Sequence, residues 1–75
     1  MPRYYFDVID GVSIEDTEGA ELPDFYTAQA EAVRLSGAIL SEMRGKFWDQ
    51  PDWRLKVLDE KRRLLFTLRF LAEGP

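Results

Sequence analysis

DFYTAQAEAVRLSGAILSEM, residues 24–43, is the one long helical stretch of the chain, and the remaining elements are arranged around it. Apolar or small residues recur at Phe25, Ala28, Ala32, Leu35, Ile39 and Met43, with Phe47 beyond them. The steps of three or four residues are the helical period. Gln29, Glu31, Arg34, Ser41, Glu42 and Arg44 take most of the opposite side. Val33 and Leu40 broaden the stripe, as suits a helix pressed on a sheet and not a narrow coiled-coil seam. Asp24 is placed to cap the first turn, and Pro23 disfavours a helical Leu22. Gly45, between Arg44 and Lys46, is the expected stop. The spacing thus predicts a helix over residues 24–44. Gly37 in its middle costs ~1 kcal/mol relative to alanine, and close approach of helix to sheet is the expected reason.

On either side of the helix the period changes to two. Residues 3–9, RYYFDVI, read as a strand with Tyr4, Phe6 and Val8 toward the helix and Tyr5, Asp7 and Ile9 away from it. Asp10-Gly11 signals a hairpin into a return strand over 12–17. Leu22 is positioned to staple the helix start. After the helix, residues 46–52 read as a loop with Pro51 near its end. Strands follow at 53–59 and 63–71. Trp53, Leu55 and Val57 alternate with Arg54, Lys56 and Leu58, and Leu64, Phe66, Leu68 and Phe70 alternate with Leu65, Thr67, Arg69 and Leu71. Residues 72–75 are a tail. The fold class is α+β: a single ββαββ domain over residues 1–75, with one helix on one face of a four-stranded, mostly antiparallel sheet. Strands one and four are the most apolar on both faces. The expected spatial order is therefore 2-1-4-3.

The chain has 75 residues, no cysteine, no histidine and a net charge of −4. One domain of this size buries a thin core, which rarely supplies more than ~3–5 kcal/mol. Disulfides and thiolate metal sites are excluded, and the commonest neutral metal ligand and general base is missing. Oligomerisation remains as the usual supplement. No apolar run is long enough to span a bilayer. Asp7 and Asp10 interrupt the apolar start, so a secretory leader is not expected and the expected setting is cytoplasmic.

Arg3 to Gly11 (RYYFDVIDG), Asp16 to Asp24 (DTEGAELPD), the Ala/Glu-rich segment Ala28 to Ala32 and the final hairpin carry a resemblance over nearly the whole chain. Together they resemble a family of very small bacterial proteins of uncharacterised function, best known from soil and plant-associated alphaproteobacteria. The last turn of that family often reads Asp-x-Asp-Gly. Here it is Asp59-Glu60-Lys61-Arg62, which departs from a tight two-residue turn. The resemblance implies a bacterial cytoplasmic domain and supplies no catalytic residues.

Four groups of residues are candidates for chemistry or binding. Asp10, Glu15, Asp16, Glu18, Glu21 and Asp24 form an acidic cluster, but the spacing is not that of a calcium loop. A solvated acidic loop with one helix cap is the expectation. Paired carboxylates are unavoidable in so acidic a chain, yet acid/base catalysis needs a pocket that shifts a pKa. No enzyme activity, cofactor, metal or small-molecule substrate is expected. Arg54, Lys56, Lys61, Arg62, Arg63 and Arg69, with Tyr5 on the same side of the sheet, suggest a platform for nucleic acid, although outward strand positions such as Arg54, Lys56 and Arg69 commonly look like this. Tyr5, Ile9, Leu58, Leu65 and Leu71 alternate to the face the helix leaves open, with Arg69, Arg54 and Asp7 as a polar rim. Trp48 and Trp53 are further anchor candidates, with Trp53 expected in the core and Trp48 in the loop. The favoured expectation is a non-catalytic module that binds a protein partner, or itself as a homodimer, through that face or an edge strand. A nucleic-acid-binding module using Arg54, Lys56 and Arg69 is the alternative.

Overall fold

A computed structural model of the chain describes residues 1–49 and 52–74. Gln50 and Pro51, placed in the loop by the sequence, and Pro75 of the tail lie outside the described residues. The elements are β1 (Arg3–Asp10), β2 (Val12–Ile14), β3 (Ala20–Glu21), α1 (Phe25–Met43), a 3-10 helix (Arg44–Asp49), β4 (Asp52–Leu58) and β5 (Leu64–Leu71). The fold is α+β, one long helix on one antiparallel sheet, as the periodicities require.

Asp24 caps α1: its carboxylate accepts from the Thr27 N–H at 2.8 Å and the Thr27 hydroxyl at 2.7 Å. The stop differs from expectation. The positive φ of 51° falls on Arg44 and not on Gly45, and the Arg44 N–H closes back on the Leu40 carbonyl before the chain continues as the 3-10 helix. Ala28, Ala32 and Ser36 are the fully buried helix residues, and their small side chains let α1 sit close on β1 and β4. Gly37 is not the point of approach, because among the described residues a Cβ there would meet nothing within 4 Å. Val33 does not join the buried stripe; it is largely exposed.

Tyr4 and Phe6 from β1 and Trp53, Leu55 and Val57 from β4 form the core with Ala28 and Ala32. Val8, Leu22, Leu35, Ile39, Leu40, Met43, Phe66 and Leu68 pack around it. The alternation within each of these strands therefore has the facing that the sequence indicates.

The strand order is β2-β1-β4-β5, with β3 pairing off that path with β1. This corrects the expected 2-1-4-3 in two ways. The strand beginning near Trp53 lies beside β1, pairing Tyr5 with Leu58 and Ile9 with Arg54, and the last strand lies at the sheet edge. The second strand is also interrupted. Its residues 12–14 pair with the end of β1, residues 20–21 pair with the start of β1, and the chain between them leaves the ladder. The two-faced apolar character of β5 reflects partial coverage at the margin of the sheet. Phe66 and Leu68 are half-covered from the helix side, while Leu64, Leu65, Phe70 and Leu71 stay exposed.

The last turn is not a two-residue one. The Arg62 N–H donates to the Asp59 carbonyl at 2.9 Å, the Asp59 N–H donates to the Arg63 carbonyl at 3.0 Å, and Arg62 has φ of 63°. The ladder shifts register between Val57 and Leu58 just before it. The left-handed position that glycine usually fills is thus held by an arginine.

Candidate protein interface

The face of the sheet away from α1 carries Tyr5, Asp7 and Ile9 from β1, Arg54, Lys56 and Leu58 from β4, and Thr67, Arg69 and Leu71 from β5. These residues oppose one another across the ladders. Its centre is held by an ion pair. Asp7 is 6 % exposed, and Arg62 reaches back to it with contacts of 2.6 and 3.3 Å. The Asp16 N–H donates to the same carboxylate at 3.0 Å. On its way the Arg62 guanidinium lies over the Tyr5 ring, 5.2 Å from its centre. Gly19 covers Tyr5 from another direction. It has φ of 71°, and a Cβ there would stand 3.0 Å from the Tyr5 ring and 2.9 Å from the Tyr4 carbonyl. Asp7 is therefore an interior group and not part of an exposed rim.

Asp16 ties the 15–19 loop to β1. Burial pushes its carboxyl pKa up, but hydrogen bonds from the N–H groups of Gly19, Phe6 and Glu18, together with the Arg62 charge, outweigh that and hold it below the ordinary 3.8. The acidic cluster is thus divided among structural tasks. Asp16 orders the loop, Asp24 caps the helix, Glu21 pairs with Arg3 at 3.1 Å, and Glu15 stands 3.5 Å from Arg62. Among the described residues, no three acidic groups gather closely enough to hold a metal ion.

A second network lies toward β5. Arg54 and Arg69 are directly opposed across the β4–β5 ladder, an arrangement that repels. Asp52 resolves it by accepting from Arg69 twice at 2.9 Å and from Arg54 at 3.4 Å. The Arg69 hydrogen bond holds the Asp52 carboxyl below its ordinary range. Of the three basic candidates on the strands, two are thus engaged with one carboxylate, and half-buried Lys56 stands opposite Asp7 and Thr67.

The five apolar candidates do not form one patch. Tyr5 lies under Arg62, Leu58 opposite it is buried, and Ile9 is half-buried between Ser13 and Arg54. Leu65 and Leu71 are exposed near the two ends of β5. Leu64, 55 % exposed, and Phe70 are exposed along the same strand; Phe70 opposes Trp53 on the helix side as its alternation indicates, whereas the register shift sets Leu64 opposite Leu58. Phe70 packs edge-on against Trp53, and Phe66 edge-on against Phe25, so β5 is anchored by aromatics at two points. Trp48 is exposed on the 3-10 helix, stacked edge-on against Phe47.

Shallow cavities flank these elements. One of about 300 Å³ lies between the helix start and the last turn, lined by Tyr4, Phe25, Lys61 and Leu65 among others. Another of about 340 Å³ lies between α1 and the 15–19 loop, over Phe6, Val8, Leu35 and Ile39. A third of about 240 Å³ is formed by Leu40, Arg44, Phe47 and Phe70. Among the described residues, no helix is long and apolar enough to cross a membrane.

These features define a small α+β domain in which one helix covers the middle of an antiparallel sheet and an apolar strand lies open at its edge. The family described as Domain of unknown function (DUF6894) matches residues 3–72, and the chain belongs to that family. No curated protein and no solved structure matches the chain.

Proposed function

We propose that this protein is a non-catalytic interaction module and that it engages protein through β5 and the apolar residues beside it. The observation that carries this is the edge itself. Among the described residues β5, an eight-residue strand, has a neighbour on one side only and leaves Leu64, Leu65, Phe70 and Leu71 exposed, whereas the other edge strand, β2, exposes Val12 and Ile14 but is only three residues long. Proteins ordinarily protect such an edge with prolines, inward charges or a covering segment. A long apolar edge is the surface to which a further strand adds, with backbone hydrogen bonds for affinity and alternate side chains for specificity.

Several features support the non-catalytic part. The cavities lie at or below the low end of ligand-site sizes, ~300–1,000 Å³. The depressed carboxyls Asp16, Asp24, Asp52 and Asp59 are each occupied by structural hydrogen bonds. The engagement of Arg54 and Arg69 with Asp52 weighs against a nucleic-acid platform on the helix-free face.

The test is capture of a partner from a bacterial lysate by wild type and by Thr67→Lys. Thr67 is exposed in the middle of β5, so the substitution spares the core and sets a charge on the edge strand. Loss of a captured protein with Thr67→Lys supports the proposal. A partner held equally by both proteins, or salt-sensitive binding of an oligonucleotide in its place, overturns it.

A further inference from the structure

On the footing of that interaction-module reading, we propose that the strand completing the edge is β5 of a second copy of this chain. The two strands would run antiparallel about a two-fold axis at Leu68. The proposal comes from the way the sequence of β5 complements itself when reversed.

In an antiparallel pair, directly opposed residues share a face of the sheet. Only certain registers therefore keep the helix-side row of one strand beside that of the other. With Leu68 opposite its own copy, Phe66 meets Phe70, and Leu65 and Leu64, where the β4–β5 ladder shifts register, come beside Leu71 and Ala72. The one charged residue of the strand, Arg69, meets the neutral Thr67. Just outside the strand, the same register brings Arg63 opposite Glu73, twice by symmetry. Both are exposed. The flanks of β5 are unlike, with Lys61, Arg62 and Arg63 before it and Glu73 after it. Only an antiparallel arrangement sets the basic flank of one copy against the acidic flank of the other.

The neighbouring registers are poorer. With Arg69 opposite its own copy, two like charges face each other directly. With Thr67 opposite its own copy, Leu65 meets Arg69 and the Arg63–Glu73 match is lost. The helix side favours the same occupant. The core lies under β1 and β4, and Phe70 is left exposed beside the Leu40 and Phe47 cavity. A second β5 would lay its own Phe66 beside that Phe70. The thinness of the core gives the association a thermodynamic role, because eight buried apolar residues, two of them alanine, make up the core among the described residues.

The absence of native cysteine makes single-cysteine probes clean. Opposed residues in an antiparallel pair have Cα atoms ~4.5–5.5 Å apart, within disulfide range. The experiment has three parts. Light scattering from low to high micromolar should give twice the monomer mass. A mixture of Thr67→Cys and Arg69→Cys proteins should form the mixed disulfide faster than either forms its own. Arg63→Glu and Glu73→Arg should each weaken the dimer by roughly tenfold, and the double variant should restore it. A wild type that stays monomeric overturns the proposal. So does a dimer in which Thr67→Cys links to itself in preference, or whose affinity the double variant fails to restore. The broader interaction-module reading is judged separately by the Thr67→Lys capture experiment: a monomer that still captures a protein through β5 leaves it standing, and a monomer that does not removes both.

Discussion

Arg62 and Asp7, 55 positions apart in the chain, meet with a guanidinium-to-carboxylate distance of 2.6 Å, and the contact closes the last hairpin over the first strand. Arg62 reaches this position from a left-handed backbone, with φ of 63°. Such a backbone costs a residue with a side chain roughly 1–2 kcal/mol relative to glycine. Here the strain is offset by two hydrogen bonds to Asp7, the Tyr5 ring beneath and Glu15 nearby.

The first prediction concerns that pair. Asp7→Ala strands Arg62 and the Asp16 N–H together, and the orphaned donors should cost about 1–3 kcal/mol. Arg62→Gly relieves the backbone but leaves Asp7 buried without its cation, so it too should destabilise. Denaturant unfolding of both single variants and the double variant should show the second substitution costing much less once the first is made. Additive effects would mean the pair contributes no coupling.

A second prediction follows from Ser36, fully buried on the sheet-facing side of α1 with no partner for its hydroxyl among the described residues. An unpartnered buried hydroxyl costs ~1–3 kcal/mol on mutational scales. Ser36→Ala removes it and is the better helix former, so the variant should be more stable by about 1 kcal/mol. A lower melting temperature would show that the hydroxyl is satisfied in solution.

Gly37 is next to it and exposed, with open space where a Cβ would stand. Gly37→Ala should raise stability by about 0.4–1 kcal/mol through the unfolded chain and helix propensity. Thermal melts would detect this. Destabilisation would indicate a contact made at Gly37 that the single chain does not contain.

Acid sensitivity has a definite sign. Asp16, Asp24, Asp52 and Asp59 all have carboxyl pKa values held below the ordinary 3.8 in the folded protein. Their unfolded counterparts bind protons first as pH falls, so the stabilisation is present above the unfolded value and lost as pH drops through the folded ones. Melting temperature should be flat between about pH 5 and 7 and fall below about pH 4. Asp16→Asn should flatten the acid limb most, because Asp16 is the most enclosed of the four. Rising stability on acidification would contradict the arrangement.

The sequence by itself determined the local elements. The helix start at Asp24, the inward set Tyr4, Phe6, Trp53, Leu55 and Val57, and the hairpin at Gly11 follow from spacing, capping chemistry and glycine's freedom at positive φ, all of which act within a few residues. Tertiary structure decided which strands are neighbours and what the helix-free face displays. Leu64–Leu71 reads apolar on both sides whether it is buried at the sheet centre or uncovered at its edge, so alternation alone could not place it. Asp7 and Arg62 each look like ordinary outward polar residues until the hairpin brings them together. That contact spans most of the chain, and no short-range pattern encodes it. It is also what covers Tyr5 and separates it from the apolar residues Leu64, Leu65, Phe70 and Leu71 that β5 leaves exposed.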